Sequence, residues 1–156
     1  MIKLIQALSG HHIIVDEQDF DEVSKFNWSI GSNGYPKRQF RQKGKNNTVY
    51  LHRFLMSPKS DEHIDHADGD KTNASRANLR LCNRCQNLSN QKLSKRNTSG
   101  FKGVWLHKHG LWAAEVISKG ERVYLKYFKS KEDAAHAYDT AAKLHHGEFA
   151  RLNFPE

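Results

Sequence analysis

The sequence predicts an α+β chain. It has a β-rich N-terminal segment, a strand–loop–strand–helix unit in the middle, and a C-terminal three-stranded antiparallel sheet backed by one helix. Three observations predict it. Short β-prone runs recur along the chain, separated by turns rich in Gly, Asn and Asp. Only one stretch, "SKEDAAHAYDTAAKLHHG", carries a long helical pattern, with Ala134, Ala135, Tyr138, Ala141 and Ala142 recurring on one face. A polar, basic segment without an apolar anchor, "SKRNTSG" (94–100), reads as a linker or as a stretch ordered only on binding.

The elements follow in order. "IKLIQAL" and "HHIIVD" are strands around a Ser9-Gly10 turn, and "DEQDFDEVSKFNW" is a short helix entered at Asp16. "GYPKRQFRQKGKNNTVYLHRFLM" gives two basic strands around "KGKNN" and a helix starting near Leu51. In the middle, "EHIDHA" and "NLRLC" are strands flanking the polar loop "DGDKTNASRA", and "NRCQNLSNQKLS" is a helix of about three turns. "FKGVWLHK", "LWAAEVIS" and "RVYLKYF" are the three C-terminal strands. Their helix has Ser130 with Asp133 at its start, resembling a capping box, and Gly147 at its end. "LNFP" closes the segment, with Phe154 expected over the core. The expected boundaries are 1–59 for the N-terminal segment, 60–95 for the middle unit (with the 51–56 helix start), 96–100 for a linker and 101–156 for the last domain.

Composition narrows the function. The 156 residues carry a net charge of +8, with only 37% hydrophobic residues, which suits small cores rather than one large one. Such a surplus points to a polyanionic partner, nucleic acid ahead of a membrane surface. No apolar run approaches the ~18–20 residues of a membrane span, and the N-terminus lacks a signal-peptide pattern. The chain is expected to be soluble and cytoplasmic. Cys82 and Cys85 make no disulfide framework. A structural zinc is not expected either, because one C-x-x-C pair supplies half of the usual ligand set. The basic residues Lys37, Arg38, Arg41, Lys43 and Lys45 lie beside Tyr35 and Phe40. They read either as an edge hairpin protected by charge or, preferred here, as a phosphate-facing surface.

The acids instead gather in "DEHIDHADGD" (61–70). Asp65 and His66 are adjacent, Asn78 follows twelve residues after His66, and Asn87 twenty-one after it. A carboxylate and an amide oxygen are hard ligands that suit Mg²⁺, Mn²⁺ or Ca²⁺. A neutral His can take a proton from water. If the helix packs on the two strands, Asn87 returns to Asp65. Each residue alone has a structural reading, as turn former, strand end or exposed helix residue. Asp68 and Asp70 keep that reading, since "ADGD" is a turn.

Residues 51–90, "LHRFLM…IDHADGDKTNASRANLRLCNRCQN", resemble the HNH endonuclease motif. They are most like the phage-type homing endonucleases that carry a "DH" pair and Asn at the third position. The resemblance implies a ββα-metal fold. It makes Asp65 and Asn87 ligands of Mg²⁺ or Mn²⁺, His66 the general base and Asn78 the residue that ties the loop and orients His66. The third member is Asn87 rather than His, which argues against zinc at the catalytic site. His52, in "LHRF", either packs under the site or touches phosphate, and Arg84 either supports the scissile phosphate or is a solvated charge. The cell would be the host of a phage or mobile element.

Residues 101–155 resemble the plant Apetala/ethylene-response-factor DNA-binding domain through "FKGVW", "GLWAAEV", "RVYLKYF", "EDAAHAYDTAAKLHHG" and "LNFP". The resemblance implies a three-stranded sheet that enters the DNA major groove. It places Lys102, Trp105, His107, His109, Glu115, Arg122 and Tyr124 at DNA-contact positions. Trp105, His107 and Ile117 stand where the family often has Arg, the usual reader of guanine, so the plant target sequence is not carried over. Trp112, Val116, Leu125 and Phe128 are expected in the core. The joint expectation is a metal-dependent homing-type endonuclease acting on double-stranded DNA, nicking as a monomer. The alternative is a non-catalytic DNA-binding regulator, and a weaker one acts on RNA.

Overall fold

The computed structural model describes residues 1–155. The described residues form an α+β protein of four small antiparallel sheets and four α-helices. It divides into two compact units, Met1–Asn83 and the chain from Arg84 onward.

In the first unit, β1 (Ile2–Gln6) and β2 (His12–Asp16) form a hairpin in which Leu4 faces Ile14 and Ile5 faces Ile13. Ile13 and Val15 alternate into the core, as a strand with one buried face requires. Helix α1 (Glu17–Val23) follows at once from Asp16. A second sheet has the order β3 (Ser29–Ile30), β4 (Pro36–Gln42), β5 (Lys45–Tyr50). The β4–β5 turn is Lys43-Gly44, both with positive φ (48° and 76°), the backbone that suits a two-residue hairpin. Helix α2 (Leu51–Met56) leads to β6 (His63–His66), which pairs with β7 (Leu79–Cys82). Trp28, Ile13, Val15, Val23, Leu51, Ile64 and Leu79 make one core, with Phe26 and Phe54 packed against it.

The second unit begins with α3 (Arg84–Ser89), six residues long. The expected three turns are not formed. "SNQKLS" offers no apolar stripe to bury, and a short isolated helix is not stable on propensity alone. The Lys102 ammonium donates to the carbonyls of Ser89 and Gln91 (2.7 Å to the latter), binding the chain just where the helix stops. The segment 94–100 is not a free linker. Ser99 is buried and donates to the Val104 carbonyl at 2.7 Å, while the Asn97 side chain accepts from Gly100 N and donates to the Phe101 carbonyl. Its anchors are hydrogen bonds, which hydropathy does not register.

The C-terminal sheet has the order β8 (Val104–Leu106), β9 (Trp112–Ser118), β10 (Glu121–Phe128), with β9 central. Helix α4 (Lys131–His146) lies on it through Ala134, Ala135, Tyr138, Ala141 and Ala142, against Val104, Ala114 and Val116. Ser130 caps the helix by accepting from the N–H groups of Glu132 and Asp133. Gly103 has φ +69°, and a Cβ there would stand 2.0 Å from the Tyr138 ring, so only glycine lets the ring lie this close. Phe154 is 37% exposed and stacks on His136 (4.2 Å between centroids) rather than covering the core. Buried Asp139 holds the tail instead, accepting from Asn153 N and Phe154 N.

Candidate active site

Strand β6 delivers Asp65 and His66 side by side, each only 4% exposed. The two side chains leave opposite faces of the strand, so different neighbours shape each one.

His66 is walled by rings. Tyr35 lies 5.6 Å from it between centroids and His52 5.4 Å, the latter edge to face. Tyr35 in turn meets His52 at 4.9 Å and Tyr50 at 6.2 Å, and Tyr50 stacks on His52 at 5.7 Å. Burial drives the pKa of His66 below its ordinary 6.5, against the pull of Asp68 and Asp65, so the imidazole is neutral at pH 7. Burial, then the neighbouring His66 and Arg53, pushes His52 down to about 4. Burial, then the Asp65 charge, raises the Tyr35 hydroxyl, which therefore stays protonated. His52 thus packs against the imidazole of His66, the first of the two roles open to it from sequence.

Asp65 faces Arg80 across the β6–β7 register, and the two form an ion pair, Arg80 Nη2 donating to Asp65 Oδ2. Sequence reasoning passed over Arg80. Arg80 stands opposite Asp65 only once the β6–β7 register is set, and no local pattern in the sequence sets it. Burial, then the Asp65 charge, pushes the Cys82 thiol up to about 11, so it is a protonated core residue, while Cys85 is exposed. Among the described residues, no three His, Cys, Asp or Glu side chains gather as a metal cluster. Amide oxygens fall outside that set of donors.

Asn78 ties the loop behind His66. Its Oδ1 accepts from Asp68 N at 3.0 Å, its Nδ2 donates to the Asn73 carbonyl at 2.8 Å, and its carbonyl accepts from Ala67 N. Asp68 and Asp70 are turn residues. Asp68 accepts from Asp70 N and from Asn73 Nδ2, and Asp70 accepts from Thr72 N. Burial opposes the charge of Asp68, yet these amide donors outweigh it and hold the carboxyl below its ordinary range. The loop is braced from outside by Arg76, whose guanidinium makes a two-pronged contact with Asp19 of α1 (2.8 Å each) while its N–H donates to Asp16.

Strand alternation sorts the basic residues of β4. Lys37 and Arg41 share the face that carries Tyr35, and Tyr50 stands opposite Lys37 in the register. These cations therefore continue the face that reaches His66 through the tyrosines. Arg38 points the other way and lies over the Phe26 ring at 3.7 Å. Lys43 is exposed at the hairpin turn. The Lys71 ammonium, 4.6 Å from the Tyr35 centroid and bound to the Asn33 carbonyl, is a cation by His66 that sequence reasoning left out.

In the second unit, Asn87 is half-buried on α3 and Arg84 is exposed. The outer face of the C-terminal sheet carries Trp105, His107 and Tyr127, with centroids 5.5 Å and 4.7 Å apart in sequence, and the Arg122–Glu115 pair at 2.5 Å. Two expected contact residues stand elsewhere. Tyr124 packs on the helix-facing core, because a bulge between Arg122 and Tyr124 shifts the register. Lys102 commits its ammonium to backbone carbonyls, and burial, then Arg151, pushes it down to about 8. The same bulge sends Leu125 to the outer face opposite Glu115, not to the expected core, and brings up Tyr127. A bulge has no periodic signature in sequence, so alternation counted from Arg122 picks the wrong tyrosine.

Comparison with known proteins finds two family models along the chain, the first of which runs across the Asn83–Arg84 boundary. Residues 57–89 match the HNH endonuclease family model, and residues 99–147 match the AP2 domain model. An uncharacterised HNH endonuclease of Acanthamoeba polyphaga mimivirus is 34% identical over 137 residues, covering 84% of this chain and 68% of its own length. Protein 3.8 of Escherichia phage T7 is 38% identical over 58% of this chain and 74% of its own. An ethylene-responsive transcription factor of Medicago truncatula is 44% identical over 71 residues, covering 44% of this chain and 30% of its own length. Asp65, His66 and Asn78 fall inside the first match, and the Trp105 face inside the second. The chain belongs to the HNH endonuclease family and carries an AP2 domain after its nuclease motif.

Proposed function

We propose that this protein is a metal-dependent DNA endonuclease of the homing type, hydrolysing phosphodiester bonds in double-stranded DNA and nicking as a monomer. One observation carries the reading: a buried carboxylate and a buried neutral imidazole, Asp65 and His66, stand together behind a loop ordered by Asn78. His66 accepts the proton of the attacking water. The walls of Tyr35 and His52 keep its ring in one plane and keep competing water away. Asn78 holds the turn after His66, and through it the imidazole.

The donor set fits a hard divalent cation such as Mg²⁺ or Mn²⁺: Asp65 brings a carboxylate and, by the motif, Asn87 an amide oxygen. When bound, such an ion offsets the charge that develops on the phosphate and the leaving oxygen. Lys37, Arg41 and Lys43 hold the DNA backbone beside the site, and Trp105, His107 and Arg122 hold it along the C-terminal sheet. One such centre per chain accounts for one cut strand per monomer. The host cytoplasm is the proposed place of action.

A supercoiled plasmid bearing a target tests the reading. The wild type with Mg²⁺ yields nicked circles, EDTA stops it, and His66→Ala and Asp65→Asn each lower the rate about 10²–10⁴-fold. Nicking by His66→Ala at the wild-type rate overturns it. The AP2 match supports a second reading, a DNA-binding regulator without catalysis. Under that reading, the wild type binds duplex DNA equally with Mg²⁺ or EDTA and never nicks it.

A further inference from the structure

The ion pair between Asp65 and Arg80 has no part in the catalytic scheme above, yet it occupies the carboxylate that the scheme gives to a metal. The pair is built into the sheet: Asp65 and Arg80 are direct partners in the β6–β7 register. Its side chains are only 5% and 17% exposed, so neither charge is answered by bulk water. A buried carboxylate needs a counter-charge, and the guanidinium provides it through Nη2 on Oδ2. A divalent cation approaching Oδ2 meets a group of its own sign already in place.

Resting on the nuclease reading, we propose that Arg80 is a metal-gating residue. It is the resident counter-ion of Asp65, which a divalent cation must displace from that carboxylate, so Arg80 sets how tightly the site takes its metal. Arg80 acts on the metal and not on the substrate, and its role is one of positioning. The chemistry fits the strand. The guanidinium can turn about its flexible stem and release Oδ2, whereas Asp65 is fixed on a buried stretch of a short strand.

The test is Mn²⁺ binding to the full chain without DNA, read by the electron paramagnetic resonance of free Mn²⁺. The proteins are the wild type, Arg80→Gln, Arg80→Lys and Asp65→Asn. Removing the competitor is expected to tighten binding about tenfold or more in Arg80→Gln, with Arg80→Lys between it and the wild type. Circular dichroism identifies folded variants, and Arg80→Lys keeps a cation at the position should Arg80→Gln unfold. Equal affinity of wild type and folded Arg80 variants, both abolished by Asp65→Asn, overturns the inference while leaving the metal site standing. Mn²⁺ binding by none of the proteins overturns the metal reading of the site and the inference together.

Discussion

His52 shows how one residue conditions another. It sits between Tyr35, Tyr50 and His66, and its buried Nδ1 has no hydrogen-bond partner among the described residues. A proton on it would be a buried charge beside a second imidazole, which is why its pKa lies near 4 instead of 6.5. The consequence for stability has a definite sign. Above pH 6.5 the ring is neutral in both folded and unfolded chains and costs nothing. Between pH 6.5 and about 4 the unfolded chain binds a proton that the native ring refuses, so stability falls as pH falls and levels off below that window. The full effect is on the order of 3 kcal/mol. Urea unfolding at a series of pH values measures it, and His52→Phe is expected to flatten the slope, leaving the part due to His66, which acts in the same direction. An unchanged slope would mean that His52 titrates alike in both states. From sequence, "LHRF" marked His52 as worth naming, but its contacts with Tyr35 and His66 join separate elements and have no local signature.

At the scale of elements, the strands and helices legible in sequence are those with a strong local pattern. The β1–β2 hairpin, the β6–loop–β7 pair and helix α4 fall close to where alternation, turn residues and the alanine stripe put them. Helix α3 and the bulge in β10 do not, because one is ended by hydrogen bonds from Lys102 and the other by a register shift. Gly103 illustrates an element contact that a single residue decides. It lets β8 and α4 meet over Tyr138, and a methyl group there would overlap the ring at 2.0 Å while also forcing a non-glycine residue to φ +69°. Gly103→Ala should therefore destabilise the C-terminal unit by about 2–4 kcal/mol, combining overpacking with left-handed strain. Thermal unfolding of the full chain followed by tryptophan fluorescence in a Trp28→Phe background, which leaves only the tryptophans of the C-terminal unit, checks this, and a loss under about 0.5 kcal/mol would show that the ring moves aside freely.

For the whole molecule, the charge pattern acquires a layout. The surplus of +8 is not spread evenly: between Val23 and Ser60 there are basic residues and no acids. In the middle segment, Asp68 and Asp70 are engaged in turns and Asp65 in the pair with Arg80, while Arg76 of the same loop answers Asp19 of α1. Phosphate neutralisation makes DNA affinity fall with salt in proportion to the number of contacts. Lys37→Ala and Arg41→Ala should each reduce the slope of log affinity against log salt by about 1. Arg38→Ala should leave the slope alone and lower stability instead, since that guanidinium lies over Phe26. Fluorescence anisotropy of a labelled duplex across a salt series separates the three, and a slope change in Arg38→Ala equal to the others would put that residue on the DNA. By itself, the sequence determined the strongly patterned elements, the order of the Asp-His…Asn…Asn motif and the likeness of the last third to an AP2 domain, because each is written in residues close together along the chain. Tertiary structure alone decided that Arg80 answers Asp65, that the rings of Tyr35 and His52 wall His66, that Arg76 braces the loop and that Tyr127 replaces Tyr124 beside Trp105 and His107. Those facts depend on cross-strand register and on packing between elements, and side-chain periodicity within an element carries no information about either.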